Sequence, residues 1–278
     1  MDRIAGFYRF LWQFLAADES QVGWLDENTG GRSNRIFLAE IPVRYGIGPG
    51  MTLLDLGCGK GREACELAKQ LGCRVVGIDA LKGTLELARD RISRESLEGQ
   101  VTLVCGSMDA LPLSDASIDF IWCRDALSHA SDMTRTVAEC ARVLRPGGRM
   151  MNYGALKTDW LEPGELRRVT QPLAINPATL VDKLVAEAFK AAGLRVIEHA
   201  TTDQPHARYH EELDQNGGRD VMRLARILQA RERITALIGA EDYERLTAYY
   251  LWNTCFLIGK VIYGVWVVER SIERGTGC

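Results

Sequence analysis

Leu53, Leu54, Asp55 and Leu56 run directly into Gly57-Cys58-Gly59-Lys60-Gly61, an apolar strand pattern ending in alternating glycines. Such a turn lets backbone approach a bound molecule closely, and a helix starting behind it offers unpaired N–H groups. A carboxylate follows at Asp79, 22 residues after Gly57. At a strand end it can accept hydrogen bonds from both hydroxyls of a ribose. The next apolar run ends in Ser107-Met108-Asp109. Met108 can pack on a purine face, and Asp109 can accept from an exocyclic amine. Singly, each has a plainer reading: Asp79 as a helix N-cap, Met108 as core, Asp109 as a turn former. At three successive strand ends they point to a nucleoside-bearing ligand. The glycine spacing, with Arg62 after Gly61, does not fit the G-x-G-x-x-G of dinucleotide sites. No G-x-x-x-x-G-K-S/T phosphate loop is present either.

The elements that must carry these residues alternate. Strands are expected at MTLLDLG, CRVVGIDA, QVTLVCGS, ASIDFIWCRD and RMMNYGA. Helices are expected at KGREACELAKQLG, GTLELARDRISRE and DMTRTVAECARVLRPGG, the last stopped by Pro146 and Gly147. Short apolar runs between helical patterns mean βαβ units and a parallel sheet. Upstream, residues 4–17 read as an amphipathic helix, followed by a Gly-, Asn- and Asp-rich stretch from Gly23 to Asn34. Arg35–Tyr45 reads as a second helix. Residues 155–178 hold Pro163, Pro172 and Pro177 and are expected to be mostly loop. A helix over TLVDKLVAEAFKAAG and a strand over LRVIEHAT come next, then a charged helical block at 207–258, then a last strand, VIYGVWVVE. The division expected is a lid at 1–45, a core at 46–206, a helical cap at 207–258 over the carboxyl edge of the sheet, and a closing strand and tail at 259–278.

The chain has 278 residues and a net charge of -3, with 34 basic and 37 acidic side chains. That balance disfavours a nucleic-acid partner. Eight cysteines contain no C-x-x-C pair, so a zinc site has no support, and thiols within apolar runs suit a reducing cytoplasm. Leu246–Val268 is long enough to span a membrane, but Asn253, Gly259, Lys260 and Gly264 divide it into a buried helix and a buried strand. No membrane or metal partner is expected.

Together LLDLGCGKG, VVGIDA, GSMDALPLSDASIDFIWCRDALSH and ECARVLRPGGRM, about residues 46–154, resemble a class I S-adenosylmethionine-dependent methyltransferase. The resemblance implies a Rossmann-like α/β fold. It has a seven-stranded, mostly parallel sheet with the last strand antiparallel, helices on both faces, an N-terminal helical lid and a helical cap inserted before the last strand. It implies S-adenosyl-L-methionine as cofactor and S-adenosyl-L-homocysteine as product. Gly57, Gly59 and Gly61, with Cys58, wrap the methionine part, and Asp55 stands behind them. Asp79 and Ala80 hold the ribose side, while Ser107, Met108 and Asp109 hold the adenine. Arg124 begins the loop flanking the sulfonium. SQVGWLDENTG upstream is similar to the small-molecule branch (methyltransferase type 11, UbiE-like). That branch acts on natural products, amino acids such as sarcosine, tocopherol precursors and prenyl diphosphates. There Gly23-Trp24 folds over the cofactor, with Gln21 or Val22 where a His is usual.

The expected reaction is methyl transfer to a small organic acceptor, with carbon slightly favoured over nitrogen or oxygen. His129, in ALSHASD, is the candidate base. Tyr8, Trp12, Trp24, Tyr153 and Tyr249 are candidates for the acceptor pocket or lid, and core packing competes for each. His206 and His210, with Glu211, could pair on a metal but lack an evident third ligand. An aromatic N-terminal helix, if exposed, favours a homo-oligomer. Three competitors remain: a nucleic-acid methyltransferase, which would carry an Asn/Asp-Pro-Pro-aromatic motif where CRDALSH stands; a nicotinamide oxidoreductase; and a cofactor-binding protein whose cap promotes a reaction such as cyclisation.

Overall fold

The computed structural model describes Gly6, residues 31–202 and residues 216–272. The expected helix at 4–17, the lid residues Tyr8, Trp12 and Trp24, and the pair His206 and His210 lie outside the described residues. The elements in chain order are α1 (Gly31–Arg44), β1 (Thr52–Leu56), α2 (Arg62–Leu71), β2 (Arg74–Asp79), α3 (Lys82–Arg94), β3 (Val101–Cys105) and β4 (Ile118–Arg124). They continue with α4 (Met133–Val143), β5 (Leu144–Lys157), α5 (Pro163–Thr170), α6 (Asp182–Ala191) and β6 (Leu194–Thr202). The last are α7 (Asn216–Gln229), α8 (Arg231–Ile238), α9 (Ala240–Leu257) and β7 (Val261–Arg270).

The strands form one seven-stranded sheet in the order β3-β2-β1-β4-β5-β7-β6. The pairs β1/β2, β2/β3, β1/β4 and β4/β5 are parallel. The sheet is mixed and mostly parallel, as expected. The order reverses between β1 and β4, and ligands of open α/β sheets bind at the carboxyl ends of the strands flanking such a reversal. Leu53, Leu54, Phe120 and Ile121 are fully buried. Strands covered on both faces read as continuous apolar runs, which is why the sequence showed them clearly.

The helices obey local chemistry. α2 buries Ala64, Cys65, Leu67, Ala68 and Leu71 on one stripe and ends at left-handed Gly72, whose N–H donates to Ala68 O. Asp132 caps α4 by accepting the Arg135 N–H at 3.0 Å. α1 begins at Gly31, earlier than the expected Arg35.

Two expectations need correction. Residues 155–178 are not mostly loop, because α5 occupies Pro163–Thr170. Pro163 sits at the first helical turn, where its missing N–H costs nothing, and the Glu162 N–H donates to Glu165 Oε2 at 3.1 Å. The Pro146-Gly147 pair does not simply separate α4 from a strand. Leu144 already pairs with Ile118, and Arg149 with Phe120, so residues 145–148 bulge out of β5.

The chain divides into two compact units. One holds Phe37–Gly154, Ala178–Ala200 and the chain from Gly264, and so most of the sheet. Its α4 packs on α6, and Trp266 of β7 is 1% exposed. The other gathers Met1–Ile36, Ala155–Pro177 and Thr201–Tyr263. There α7, α8 and α9 close around Ile227, Tyr243 and Tyr250, and α5 packs on α9. The Lys260 ammonium donates to Glu165, and the Thr158 N–H donates to Lys260 O at 2.9 Å. Leu246–Val268 resolves into the end of α9 and most of β7, and no described helix is long and apolar enough to cross a membrane.

Candidate active site

The glycine turn leaves β1 with Gly57, Gly59 and Gly61 at φ of 76°, 51° and 72°. Only glycine adopts these angles without strain. The Gly57 and Cys58 N–H groups donate to Ile78 O, and the Gly61 N–H to Cys58 O at 2.9 Å. Packing dictates two of the three glycines. A Cβ on Gly57 would lie 2.5 Å from Ala126 Cβ, and one on Gly61 would lie 3.0 Å from Ala88 Cβ. Gly59 is different: a Cβ there would come no nearer than 4.0 Å to Thr84 Cγ2. Among the described residues no side chain fills the space above Gly59, which is what a cradle for a ligand requires.

Asp79, at the end of β2, is locked by that turn. Its Oδ2 accepts the Gly59 N–H at 3.0 Å and its Oδ1 accepts the Leu81 N–H at 2.9 Å. Each oxygen retains lone-pair capacity for a hydroxyl. Burial raises the carboxyl from its ordinary value, and the three backbone N–H donors of Leu81, Gly59 and Ala80 oppose the rise. Asp55 is 3% exposed, between Gly77 of β2 and Trp122 of β4. One side of its carboxyl accepts the Ala64 N–H, while the buried Oδ2 has no hydrogen-bond partner among the described residues. Burial first, then Glu63 and Asp79, push it well above the carboxylate range.

Beyond the end of β3, Ser107 and Met108 are half-buried. Asp109 is anchored more firmly than the sequence suggested. Its carboxylate accepts the hydroxyls of Ser131 and Thr136, its carbonyl accepts Arg135 Nε at 2.8 Å, and its N–H donates to Ser107 Oγ. The loop beyond is stapled to α4 by Arg142, which donates to Leu111 O and Leu113 O at 2.9 and 2.8 Å. Glu139 accepts the Leu111 N–H at 2.7 Å.

On the other side of the reversal point, Arg124 ends β4 and pairs with Glu63 of α2 at 2.5 Å. The residue that sequence reasoning missed is Asp125. Its φ is 56°, rare for a residue with a side chain, and its N–H is held by Tyr153 O at 2.8 Å. Its side chain keeps 48% exposure, yet the protein walls around it push the carboxyl up to about 6, with Arg124 opposing and Glu63 adding. The only sequence signal was Asp itself, which tolerates the left-handed region better than most residues.

His129 closes the short 3-10 turn Leu127–His129, with its N–H on Ala126 O at 3.0 Å. Tyr153 is 2% exposed in β5. Tyr249 belongs to the helical unit, edge-on to Tyr250 at 5.3 Å. His199 stacks on Trp266 at 4.9 Å and pairs with Asp182 at 3.2 Å, a packing role. Among the described residues no His, Cys, Asp and Glu cluster could hold a metal.

Residues 54–152 match the family described as "Methyltransferase domain". Over that stretch the chain is similar to a methyltransferase domain. Its relatives include Methyltransferase GfsG of Streptomyces halstedii, 40% identical over 107 residues, 38% of each chain. Another is the 27-O-demethylrifamycin SV methyltransferase of Amycolatopsis mediterranei (strain S699), 35% identical over 133 residues, 48% of this chain and 46% of that one. The chain thus spans less than half the length of these two relatives. Among solved structures, the 4+2 cyclase SpnF overlays with a TM-score of 0.65 at 20% identity, covering 85% of this chain and 80% of that one. The geranyl diphosphate C-methyltransferase of Streptomyces coelicolor A3(2) overlays with 0.60 at 16%, covering 84% and 77%. At these identities the overlays speak for the fold.

Proposed function

We propose that the methyltransferase domain binds S-adenosyl-L-methionine and transfers its methyl group to a small organic acceptor, carbon favoured over nitrogen or oxygen. The observation that carries this is the cradle: a Cβ at Gly59 would come no nearer than 4.0 Å to any described side chain, while Asp79 clamps the Gly59 N–H. Asp79 holds the ribose hydroxyls, with Ala80 beside it. Ser107, Met108 and Asp109 bound the adenine, and Gly57, Cys58, Gly59 and Gly61 enclose the methionine portion. Arg124 is held by Glu63 at the start of the loop on the sulfonium side.

The cofactor supplies an already activated methyl group. The chain's task is therefore to hold acceptor and donor in line and keep water out. His129 is positioned on the turn after β4 to take up a proton where the acceptor gives one. Tyr249 and the lid residues Tyr8, Trp12 and Trp24 are the aromatic candidates whose faces would stabilise positive charge on an alkene acceptor, whereas Tyr153, 2% exposed in β5, serves as core. The relatives' names include O-methyltransferases, sterol C-methyltransferases and a glycine/sarcosine/dimethylglycine N-methyltransferase, so the acceptor atom is the open variable. The division into lid, core, cap and closing strand, a homo-oligomer and a cytoplasmic setting belong to the same reading.

Calorimetric titration with S-adenosylhomocysteine, with NAD as control, tests the cofactor. Micromolar binding of the first alone supports the reading, and binding of NAD alone overturns it. Incubation with methyl-labelled S-adenosylmethionine and pooled terpenoid, polyketide and amine acceptors then tests the reaction. The fold is shared with a cyclase, so binding without label transfer to any pool would favour the cyclisation reading.

A further inference from the structure

We propose that Asp125 reads the charge on the cofactor's sulfur, so that the site retains the sulfonium of S-adenosylmethionine and releases the neutral thioether of S-adenosylhomocysteine. This rests on the cofactor reading above and goes beyond it. Asp125 follows β4 and Gly57 follows β1, the two strands flanking the reversal in strand order. The Asp125-Ala126 step lies against the glycine turn, since Ala126 is the residue a Cβ on Gly57 would strike. The left-handed backbone at Asp125 is held by hydrogen bonds on both sides, its N–H on Tyr153 O and its carbonyl under Ser128 Oγ at 2.6 Å. A strained conformation pinned from both sides belongs to a position the site specifies.

Charge comes next. Arg124 is matched by Glu63 at 2.5 Å and reaches Asp125 only at 3.9 Å. Burial raises the Asp55 carboxyl well above its ordinary value and pushes the nearby Cys123 thiol up to about 12. Among the described residues Arg124 is thus committed first to Glu63, and the Asp125 carboxylate keeps only the long pair. The methionine amino and carboxyl groups are common to cofactor and product, so the sulfur charge is what an Asp125 carboxylate can discriminate. An opposite charge within about 4–6 Å favours the ionised carboxylate by 1–3 pKa units. Attraction to the sulfonium also holds the ground state, so the benefit falls on exchanging product for fresh cofactor rather than on the chemical step.

The test uses the full chain and two probes, S-adenosylmethionine and S-adenosylhomocysteine, titrated calorimetrically at pH 7.0 and 5.0. Asp125 lies near 6 without ligand. Ionised Asp125 favours the cation, so cofactor affinity should weaken about five- to tenfold at the lower pH while product affinity changes less than about twofold. In Asp125→Asn, which suits the left-handed backbone, the cofactor's pH dependence should vanish. The affinity ratio should move toward the product by at least about tenfold. An unchanged ratio in the variant overturns the proposal, as does equal loss of both ligands. A pH step that persists in Asp125→Asn and disappears in His129→Asn would assign it to the imidazole instead. The wild-type pH comparison decides the matter even if the variant is unstable: parallel behaviour of the two ligands rules the proposal out. Failure of wild type to bind either ligand sinks the cofactor reading itself, an outcome distinct from all of these.

Discussion

Gly57 and Ala126 stand so close that a single added methyl would bring their β-carbons to 2.5 Å. The contact joins the turn after β1 to the turn after β4. It explains the first glycine of the turn by packing as well as by backbone angle. Gly57→Ala therefore meets two penalties, the left-handed strain at φ of 76° and the collision. Each costs about 1–3 kcal/mol. Denaturant unfolding should show a loss of about 2–4 kcal/mol, and S-adenosylhomocysteine binding should fall with it.

Gly59→Ala is the counterpart that separates folding from binding. It carries the backbone strain without the collision, since the nearest heavy atom is 4.0 Å away. Stability should fall by about 1–2 kcal/mol. The affinity for S-adenosylhomocysteine, measured on the folded fraction, should fall at least tenfold because the added methyl enters the cradle. Unchanged affinity would show that the space over Gly59 is not used by the ligand.

Asp79→Ala removes acceptors for the ligand and for the Gly59 and Leu81 N–H groups. Calorimetry should record a loss of about 2–4 kcal/mol in binding, from two charge-assisted hydrogen bonds. Asp79→Asn retains an acceptor for one backbone N–H and should bind with an intermediate affinity.

Asp55 makes a prediction about pH with a definite sign. Burial holds its carboxyl above the ordinary value of 3.8, so between that value and its folded pKa the native protein keeps a proton that the unfolded chain releases. That contribution to stability is full below pH 3.8 and declines as pH rises. Asp55→Asn removes the decline. Unfolding free energies of wild type and variant at pH 5 and pH 8 should diverge in the variant's favour at the higher pH. Parallel curves would mean the buried group titrates normally.

Arg142→Met tests the staple on the adenine side. The guanidinium donates to Leu111 O, Leu113 O, Asp115 and Glu139, and remains about a third exposed. With solvent screening discounted, the expected loss is about 2–3 kcal/mol. Hydrogen exchange should increase over residues 111–115 before it increases in β1.

The parts of the fold read correctly in advance were those where one residue type carries one meaning. Runs such as LLDL and IDFIWC are covered on both faces, so they announce strands without ambiguity. Glycines at 57, 59 and 61 announced a tight turn after β1, but spacing could not tell Gly59, with no described side chain within contact, from Gly61, which simply clears Ala88. That distinction depends on a residue 27 positions away. The prolines at 155–178 misled because Pro163 breaks nothing at a first helical turn. Asp125 was invisible because its significance is a backbone angle and a neighbour on β5, neither of which leaves a local pattern.

The membership of α5 in the helical unit has a consequence for building hybrids of this protein. That unit is assembled from three stretches, Met1–Ile36, Ala155–Pro177 and Thr201–Tyr263, with α5 seated on α9 and Glu165 bonded to Lys260. Transplanting residues 207–258 into a related scaffold would therefore carry only part of a cooperative piece, leaving α9 without its companion. Donor and recipient must exchange all three stretches together for the graft to fold as one block.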